Sequence, residues 1–391
     1  MLLSVTKPQR LLINFRSSWN NNIPSLFKFT LRAPITTFNT FKIPRAFGLN
    51  LTRTMASNST ELPSSTIPIF TTVADYRAWR RAAFKAGKTV GFVPTMGALH
   101  EGHISLVRES LENNDLTVVS IFVNPAQFAP HEDLATYPRT LPKDLQLLEE
   151  QKITSKSCGE TRTPSAVFVP TVSEMYPSGI VQNVAEQKGT FIEVQGYGHQ
   201  MEGKSRPTFF RGVATVVTKL FNVIEPTQAY FGQKDIQQAL LLKRMCRDLL
   251  LSHPEPSNLH IIPTARDPTD SLALSSRNAY LSTDGRKVAT TLWQALKAAE
   301  TAWTEGRTKR ECINAATKVV EEKIAQASKD GLEVVMKLDY VEMNDAQTFE
   351  VLEEEKARRD TGLVILSGAL YVDKTRLIDN ILLGDIHQVL G

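Results

Sequence analysis

The stretch Val93-Pro94-Thr95-Met96-Gly97-Ala98-Leu99-His100-Glu101-Gly102-His103 decides how the chain is read. An apolar, β-branched run from Thr89 to Thr95 leads into a glycine-containing turn, and a helix is expected to start at the second histidine. Ile104, Val107 and Leu111 continue that helix as an apolar stripe. In a parallel α/β sheet, ligands sit at the carboxyl ends of strands. Helix amino termini favour anions, because free N–H groups and the helix dipole point there together. Gly97 and Gly102 are read as sites where the backbone approaches a phosphate without a Cβ in the way. His100 and His103 can reach the same oxygens and donate hydrogen bonds, or carry charge, toward them. A zinc site is the rival reading, but the metalloprotease spacing is His-Glu-x-x-His and no clear third ligand is visible.

Working outward, further strands are expected at Leu116–Asn124, Ala166–Pro170, Ala229–Gly232 and Asn258–Thr264. Most are continuous apolar runs, as in strands covered on both faces. Val213, Val216, Val217, Leu220, Phe221 and Ile224 lie on one face of a helix between two of them. The alternation predicts an α/β fold: a doubly wound, Rossmann-like parallel-sheet nucleotide-binding domain over 66–262. A polar, Asp-, Pro- and Ser-rich segment, 266–278, then leads into helices near 285–330 that include Trp293, Leu296 and Ala299. Strands near Leu338–Met343 and Leu363–Val372 follow, so residues 263–391 read as a smaller α+β carboxy-terminal domain. Residues 151–165 lack periodicity and read as a solvated loop.

The chain has 391 residues, 42% hydrophobic and 22% charged, which suits about two globular domains. Its net charge of +4 is misleading. Residues 1–60 hold eight Lys or Arg and no acidic residue, which leaves 37 basic against 41 acidic residues in the remainder. That mildly acidic body argues against a nucleic-acid partner. No apolar run reaches the roughly 20 residues of a membrane-spanning helix, so no membrane partner is expected. Cys158, Cys246 and Cys312 form no disulfide framework, which fits a reducing compartment. Residues 1–65 read as a disordered or targeting extension. Three readings stand: a mitochondrial transit peptide, a disordered extension of no consequence, or translation from Met55; the expected location is the cytoplasm, with mitochondrial targeting by residues 1–60 as the alternative.

The quoted stretch resembles the signature of pantothenate synthetases, within the HxGH nucleotidyltransferases. Other blocks follow in family order: 120–128 (SIFVNPAQF), Tyr137-Pro138-Arg139-Thr140, Met201-Glu202-Gly203, 210–222 (FRGVATVVTKLFN), 231–238 (FGQKDIQQ), 272–278 (LALSSRN) and 374–380 (KTRLIDN). The resemblance covers about residues 66–391. It implies that ATP activates pantoate as a pantoyl-adenylate, which β-alanine then intercepts to give pantothenate.

It also implies site residues. His100 and His103 would hold the triphosphate, with His103 the proton donor, and Lys234 would complete the catalytic set with a point charge on phosphate. Met96, Gly97, Ala98, Leu99, Glu101 and Gly102 would line the nucleotide, joined by Gly232, Gln233, Ala265 and Leu274. Asp235 would accept from the ribose hydroxyls. Ser275, Ser276 and Arg277 would clamp the phosphates from a lid loop. Gln127 would meet pantoate and β-alanine, Gln238 would meet pantoate, and Asn124 would stand beside them. Asp144 is expected near Mg²⁺. ATP and Mg²⁺ are the implied co-substrate and cofactor, and a homodimer the implied assembly. Two departures from the family pattern stand out: Gln233 replaces a usual Glu, and Phe209 replaces a common His.

Overall fold

The computed structural model describes residues 62–387 except 131 and 133; the targeting segment and Met55 lie outside the described residues. A short strand absent from the sequence reading, β1 (Ile69–Phe70), comes first, followed by α1 (Val73–Lys85), β2 (Val90–Thr95), α2 (Glu101–Asn113) and β3 (Leu116–Ile121). Then come α3 (Leu141–Glu149), β4 (Ile153–Thr154), β5 (Thr161–Arg162), β6 (Ala166–Phe168) and the short helices α4 (Val172–Met175) and α5 (Glu202–Ser205). Next are α6 (Phe209–Ile224), β7 (Gln228–Gly232), α7 (Ile236–Asp248) and β8 (Leu259–Ile262). The carboxy-terminal part holds α8 (Thr283–Val288), α9 (Thr291–Thr304), α10 (Lys309–Lys329), β9 (Met336–Asp345), β10 (Val364–Val372) and β11 (Thr375–Leu383).

Six strands form one parallel sheet in the order β1-β6-β3-β2-β7-β8. The order reverses at β2, whose neighbours are β3 on one side and β7 on the other. That reversal is the topological switch point where doubly wound sheets open a crevice. Both faces are covered. Val90, Phe92, Val118, Ala166 and Phe168 pack toward the core that holds α6 and α7. Their alternates Val93, Val119, Ile121 and Val167 pack toward α2 and α3. The period of two with apolar residues at both phases is why these strands read as unbroken apolar runs.

Strand β9, β10 and β11 form a separate antiparallel sheet in the order β11-β10-β9, against which α9 and α10 pack. One end of this sheet joins the larger core: Ala346, Phe349, Leu363, Ile365 and Leu382 pack in the same apolar cluster as α6 and β7. The block at 374–380 is thus mostly a strand.

The reading of 151–165 as a solvated loop is corrected by the structure. The segment is a two-stranded antiparallel hairpin, β4 with β5. Arg162 donates to the carbonyls of Leu111 and Glu112 at 3.2 and 3.0 Å, and buried Ser155 donates to Glu112 O at 3.1 Å. The hairpin therefore satisfies carbonyls that the end of α2 leaves open. The strand expected to Asn124 ends at Ile121, because Asn124 caps a short 3-10 turn, Pro125–Gln127.

Candidate active site

The turn between β2 and α2 is held by a buried carboxylate. Ala98 has φ 49°, a left-handed backbone unusual for a residue with a Cβ. Asp144 offsets that strain: it accepts from Ala98 N at 3.1 Å and Leu99 N at 2.8 Å, and Thr140 Oγ1 donates to it at 3.1 Å. Only 1% of Asp144 is exposed, so it is not a solvated surface acid. Burial raises its pKa while those hydrogen bonds oppose the rise.

His100 is the amino-terminal cap of α2, and its Nδ1 accepts from Gly102 N at 3.1 Å. An accepting Nδ1 puts the proton of the neutral ring on Nε2, which remains a free donor. The cap also explains Gly102. A Cβ there would meet His100 Cε1 at 2.8 Å and Nδ1 at 2.9 Å. The glycine makes room for the first histidine ring. The two rings pack with centroids 4.1 Å apart. Burial lowers the His100 pKa to about 4, helped by the Lys234 charge and opposed by Asp235. Burial lowers His103 to about 3, with His100 and Lys234 adding to it. Its Nδ1 is buried without a hydrogen-bond partner among the described residues. Both imidazoles are neutral at pH 7 when nothing anionic is bound.

The switch point opens into a cleft of about 1310 Å³. That exceeds the roughly 300–1,000 Å³ of common ligand pockets, leaving room for two substrates together. Met96, His100, Gly102 and His103 line it from the end of β2, and Gly232, Lys234 and Asp235 from the end of β7. Asn124, Gln127 and Gln238 line another part, and Ala265, Leu274, Ser275, Ser276 and Arg277 come from the loop after β8. The cleft lining does not include Gly97, Ala98, Leu99, Glu101, Gln233 or Asp144. Glu101 instead ion-pairs with Arg108 along α2. Among the described residues, no group of three or more His, Cys, Asp or Glu could hold a metal ion.

The loop after β8 is tied down at both ends. Ser276 Oγ donates to Ala98 O at 3.1 Å, which fastens it to the histidine turn. Arg266 makes a two-pronged pair with Asp379 on β11, at 2.7 and 2.9 Å, and stacks 3.5 Å over Trp293. Asn380, next on β11, donates to the carbonyls of Gln233 and Lys234, both at 2.9 Å, and accepts from Gln233 Nε2 at 3.2 Å. Gln233 therefore binds Asn380, and the carboxylate usual in the family could not make that donation.

Sequence reasoning gave no role to several residues that complete the cleft. Arg206 stacks 3.8 Å over the Phe209 ring and pairs with Glu132 at 2.5 Å. Phe209 is buried, so the position where the family often has histidine is filled by an apolar ring under a guanidinium. Arg376 on β11 pairs with Glu202 at 2.7 Å, and Tyr340 OH donates to the same carboxylate at 2.9 Å. Glu202 and Arg376 both stand in blocks with a family look, but their spacing, 174 residues, gave no sign that they pair. Buried Gln237 accepts from Glu202 N at 3.0 Å and donates to Gln200 O at 2.9 Å, which steadies the turn at Met201.

The chain is similar to known proteins in sequence and in fold. The family described as pantoate-β-alanine ligase matches residues 68–382. A pantoate-β-alanine ligase from Saccharomyces cerevisiae is 42% identical over 330 residues, which span 81% of this chain and 99% of that protein. A pantothenate synthetase from Herpetosiphon aurantiacus is 42% identical over 315 residues, again 81% of this chain and 99% of that one. Among solved structures, pantothenate synthetase from Thermus thermophilus superposes with a TM-score of 0.63 at 37% identity, over 81% of this chain and 99% of that chain. A pantoate-β-alanine ligase from Francisella tularensis, crystallised with a β,γ-ATP compound and β-alanine, gives a TM-score of 0.58 at 30% identity, over 81% and 97%. Matched across nearly its whole described length, the chain belongs to the pantoate-β-alanine ligase family.

Proposed function

We propose that this cleft condenses pantoate with β-alanine while ATP is cleaved to AMP and pyrophosphate. The supporting observation is that one cleft joins two neutral histidines and Lys234 to two uncharged glutamines, Gln127 and Gln238. In the first step, a pantoate carboxylate oxygen attacks the α-phosphorus, and the bond from that phosphorus to the β-phosphate's bridging oxygen breaks. Pyrophosphate leaves and pantoyl-adenylate remains. In the second step, the β-alanine amine attacks the acyl carbon, AMP departs with the former carboxylate oxygen, and the amine gives up a proton to solvent.

Catalysis on this reading is positioning plus charge stabilisation. His100 donates through Nε2 to the phosphates. As the triphosphate enters, its negative charge works against the burial that keeps both rings neutral, so His103 becomes able to supply a proton where charge builds. Lys234 adds a point charge, Asp235 receives the ribose hydroxyls, and Ser275, Ser276 and Arg277 close on the phosphates from the other wall. Gln127 and Gln238 take the pantoate, with Gln127 also facing β-alanine. Mg²⁺ arrives as part of the nucleotide substrate. Asp144 is better assigned to shaping the 97–99 turn, since its oxygens already accept from Ala98, Leu99 and Thr140. Residues 66–262 and 263–391 serve as the two working parts. The active form is a homodimer in a reducing compartment, in keeping with three free cysteines. Among the described residues, no helix is long and apolar enough to cross a membrane.

The test is a product assay with ATP, Mg²⁺, pantoate and β-alanine. AMP and pyrophosphate should appear only when pantoate is present. Pantothenate should require β-alanine as well. Release of AMP without pantoate would overturn the reading.

A further inference from the structure

A glutamine amide can offer a substrate either its carbonyl or its NH₂, and here the backbone decides which. Asn124 Oδ1 accepts from Ala126 N at 3.3 Å, and Asn124 Nδ2 donates to Gly212 O at 3.2 Å. A backbone N–H can only donate and a carbonyl can only accept, so the two ends of the Asn124 amide cannot be exchanged. The other Nδ2 hydrogen goes to Gln127 Oε1 at 3.1 Å. That fixes the Gln127 carbonyl toward Asn124. Gln127 Nε2 is left 3.2 Å from Met96 Sδ, on the lining of the cleft. A thioether is a weak acceptor, so a substrate oxygen displaces it readily.

One side chain completes this arrangement from behind. Tyr176 OH donates to Asn124 Oδ1 at 2.7 Å, the shortest bond in the chain of contacts. The oxygen has no hydrogen, so Tyr176 must be the donor. The tyrosine is buried, and the Lys219 ammonium lies 3.8 Å over its ring while donating to Met175 O at 2.8 Å. Burial pushes the phenol above its ordinary range, which keeps the donor proton in place.

We propose that Tyr176 is a positioning residue: acting through Asn124, it locks Gln127 with its NH₂ toward the substrate. The cleft then presents a donor at this point. It selects a ligand that offers an oxygen acceptor there, a carboxylate or hydroxyl, and disfavours one that offers an ammonium. This inference rests on the pantoate reading above.

The experiment compares Tyr176→Phe, Gln127→Ala, Gln127→Glu and the double variant Tyr176→Phe/Gln127→Ala in steady-state assays of the full chain. Tyr176→Phe should raise the pantoate KM roughly three- to tenfold, the effect of one lost hydrogen bond, and leave the ATP KM unchanged. In the Gln127→Ala background the same change should add nothing, because residues acting through one another are not additive. Gln127→Glu should impair pantoate use more than Gln127→Ala, because it turns an acceptor toward an acceptor. Equal effects of Tyr176→Phe on both substrates, an undiminished effect in the double variant, or a milder Gln127→Glu would each overturn the proposal. Should Tyr176→Phe fail to fold in a thermal melt, the Gln127→Glu against Gln127→Ala comparison decides alone. Wild-type protein that ignores pantoate would sink the functional reading itself. Wild-type turnover with a silent Tyr176→Phe would sink only this relay.

Discussion

The two ends of the cleft are built by different means. The phosphate end uses a helix amino terminus and two neutral imidazoles that lie within eleven residues of chain, 93–103, joined by Lys234 from the end of β7. The amide end presents uncharged amides to its ligand. Its pieces come from separate places: Asn124 and Gln127 after β3, Tyr176 after α4, Gly212 in α6 and Gln238 in α7. Charge can act across a few ångströms of imperfect geometry. An amide hydrogen bond weakens steeply when its angle or distance is wrong. The amide end therefore needs more of the fold behind it, and it should be the end that distant substitutions damage first.

The largest expected effect belongs to the phosphate end. His103→Ala should slow adenylate formation roughly 10²-fold or more, as when a donor to developing charge is removed. Pyrophosphate release measured under saturating substrates checks it, and wild-type turnover would erase the distinction between the two ends. Gly212→Ala sharpens the contrast from the amide end. The new Cβ would meet Ala126 O at 2.2 Å and Gln127 Cα at 2.7 Å, both backbone atoms that cannot swing aside. Helix α6 must shift, at a cost of roughly 1–3 kcal/mol in an unfolding titration. Pantoate KM should rise with it, more than ATP KM; an equal rise in both would contradict the comparison.

Asn380→Asp tests the phosphate end without touching a phosphate ligand. It replaces the donor that serves Gln233 O and Lys234 O with acceptor oxygens, in a buried place. ATP KM should rise roughly three- to tenfold with pantoate KM unchanged. Gln233→Glu, which disturbs only the return bond to Asn380, should do the same more weakly.

The smallest signal is a proton count. With folded pKa values of about 4 and 3, His100 and His103 bind fewer protons than the unfolded chain between about pH 4 and 6.5. Their contribution to stability is present above the unfolded value and falls as the pH drops through that window. Bound triphosphate should raise both values, so ATP binding near pH 5.5 should take up protons. Calorimetry in two buffers of different ionisation enthalpy measures this. The uptake should shrink in His103→Ala, and an unchanged uptake would place the titrating group elsewhere.

Much of the fold was legible because each parallel strand is apolar at both phases and each helix between them carries one apolar stripe. That pattern is local, and it identified β2, β3, β6, β7 and β8. Strand β1 escaped because two residues carry no period. The hairpin at 153–162 escaped because its anchors are polar bonds to the end of α2, which no apolar pattern reports. The turn-holding part of Asp144 escaped for a related reason: nothing along the chain reports that a carboxylate accepts from backbone N–H groups 45 and 46 residues away.

By itself the sequence determined the strand–turn–helix at 93–103, the alternation that makes a doubly wound sheet, and the family blocks in their order. Periodicity and turn chemistry are properties of neighbours along the chain, so they are written there. Only the tertiary structure decided why Gly102 must be glycine, which way the Gln127 amide faces, and how β11 steadies the Lys234 turn. Each of those depends on a donor, an acceptor or an excluded volume contributed by an atom elsewhere, whether two residues away in a folded turn or 146 residues away on another sheet.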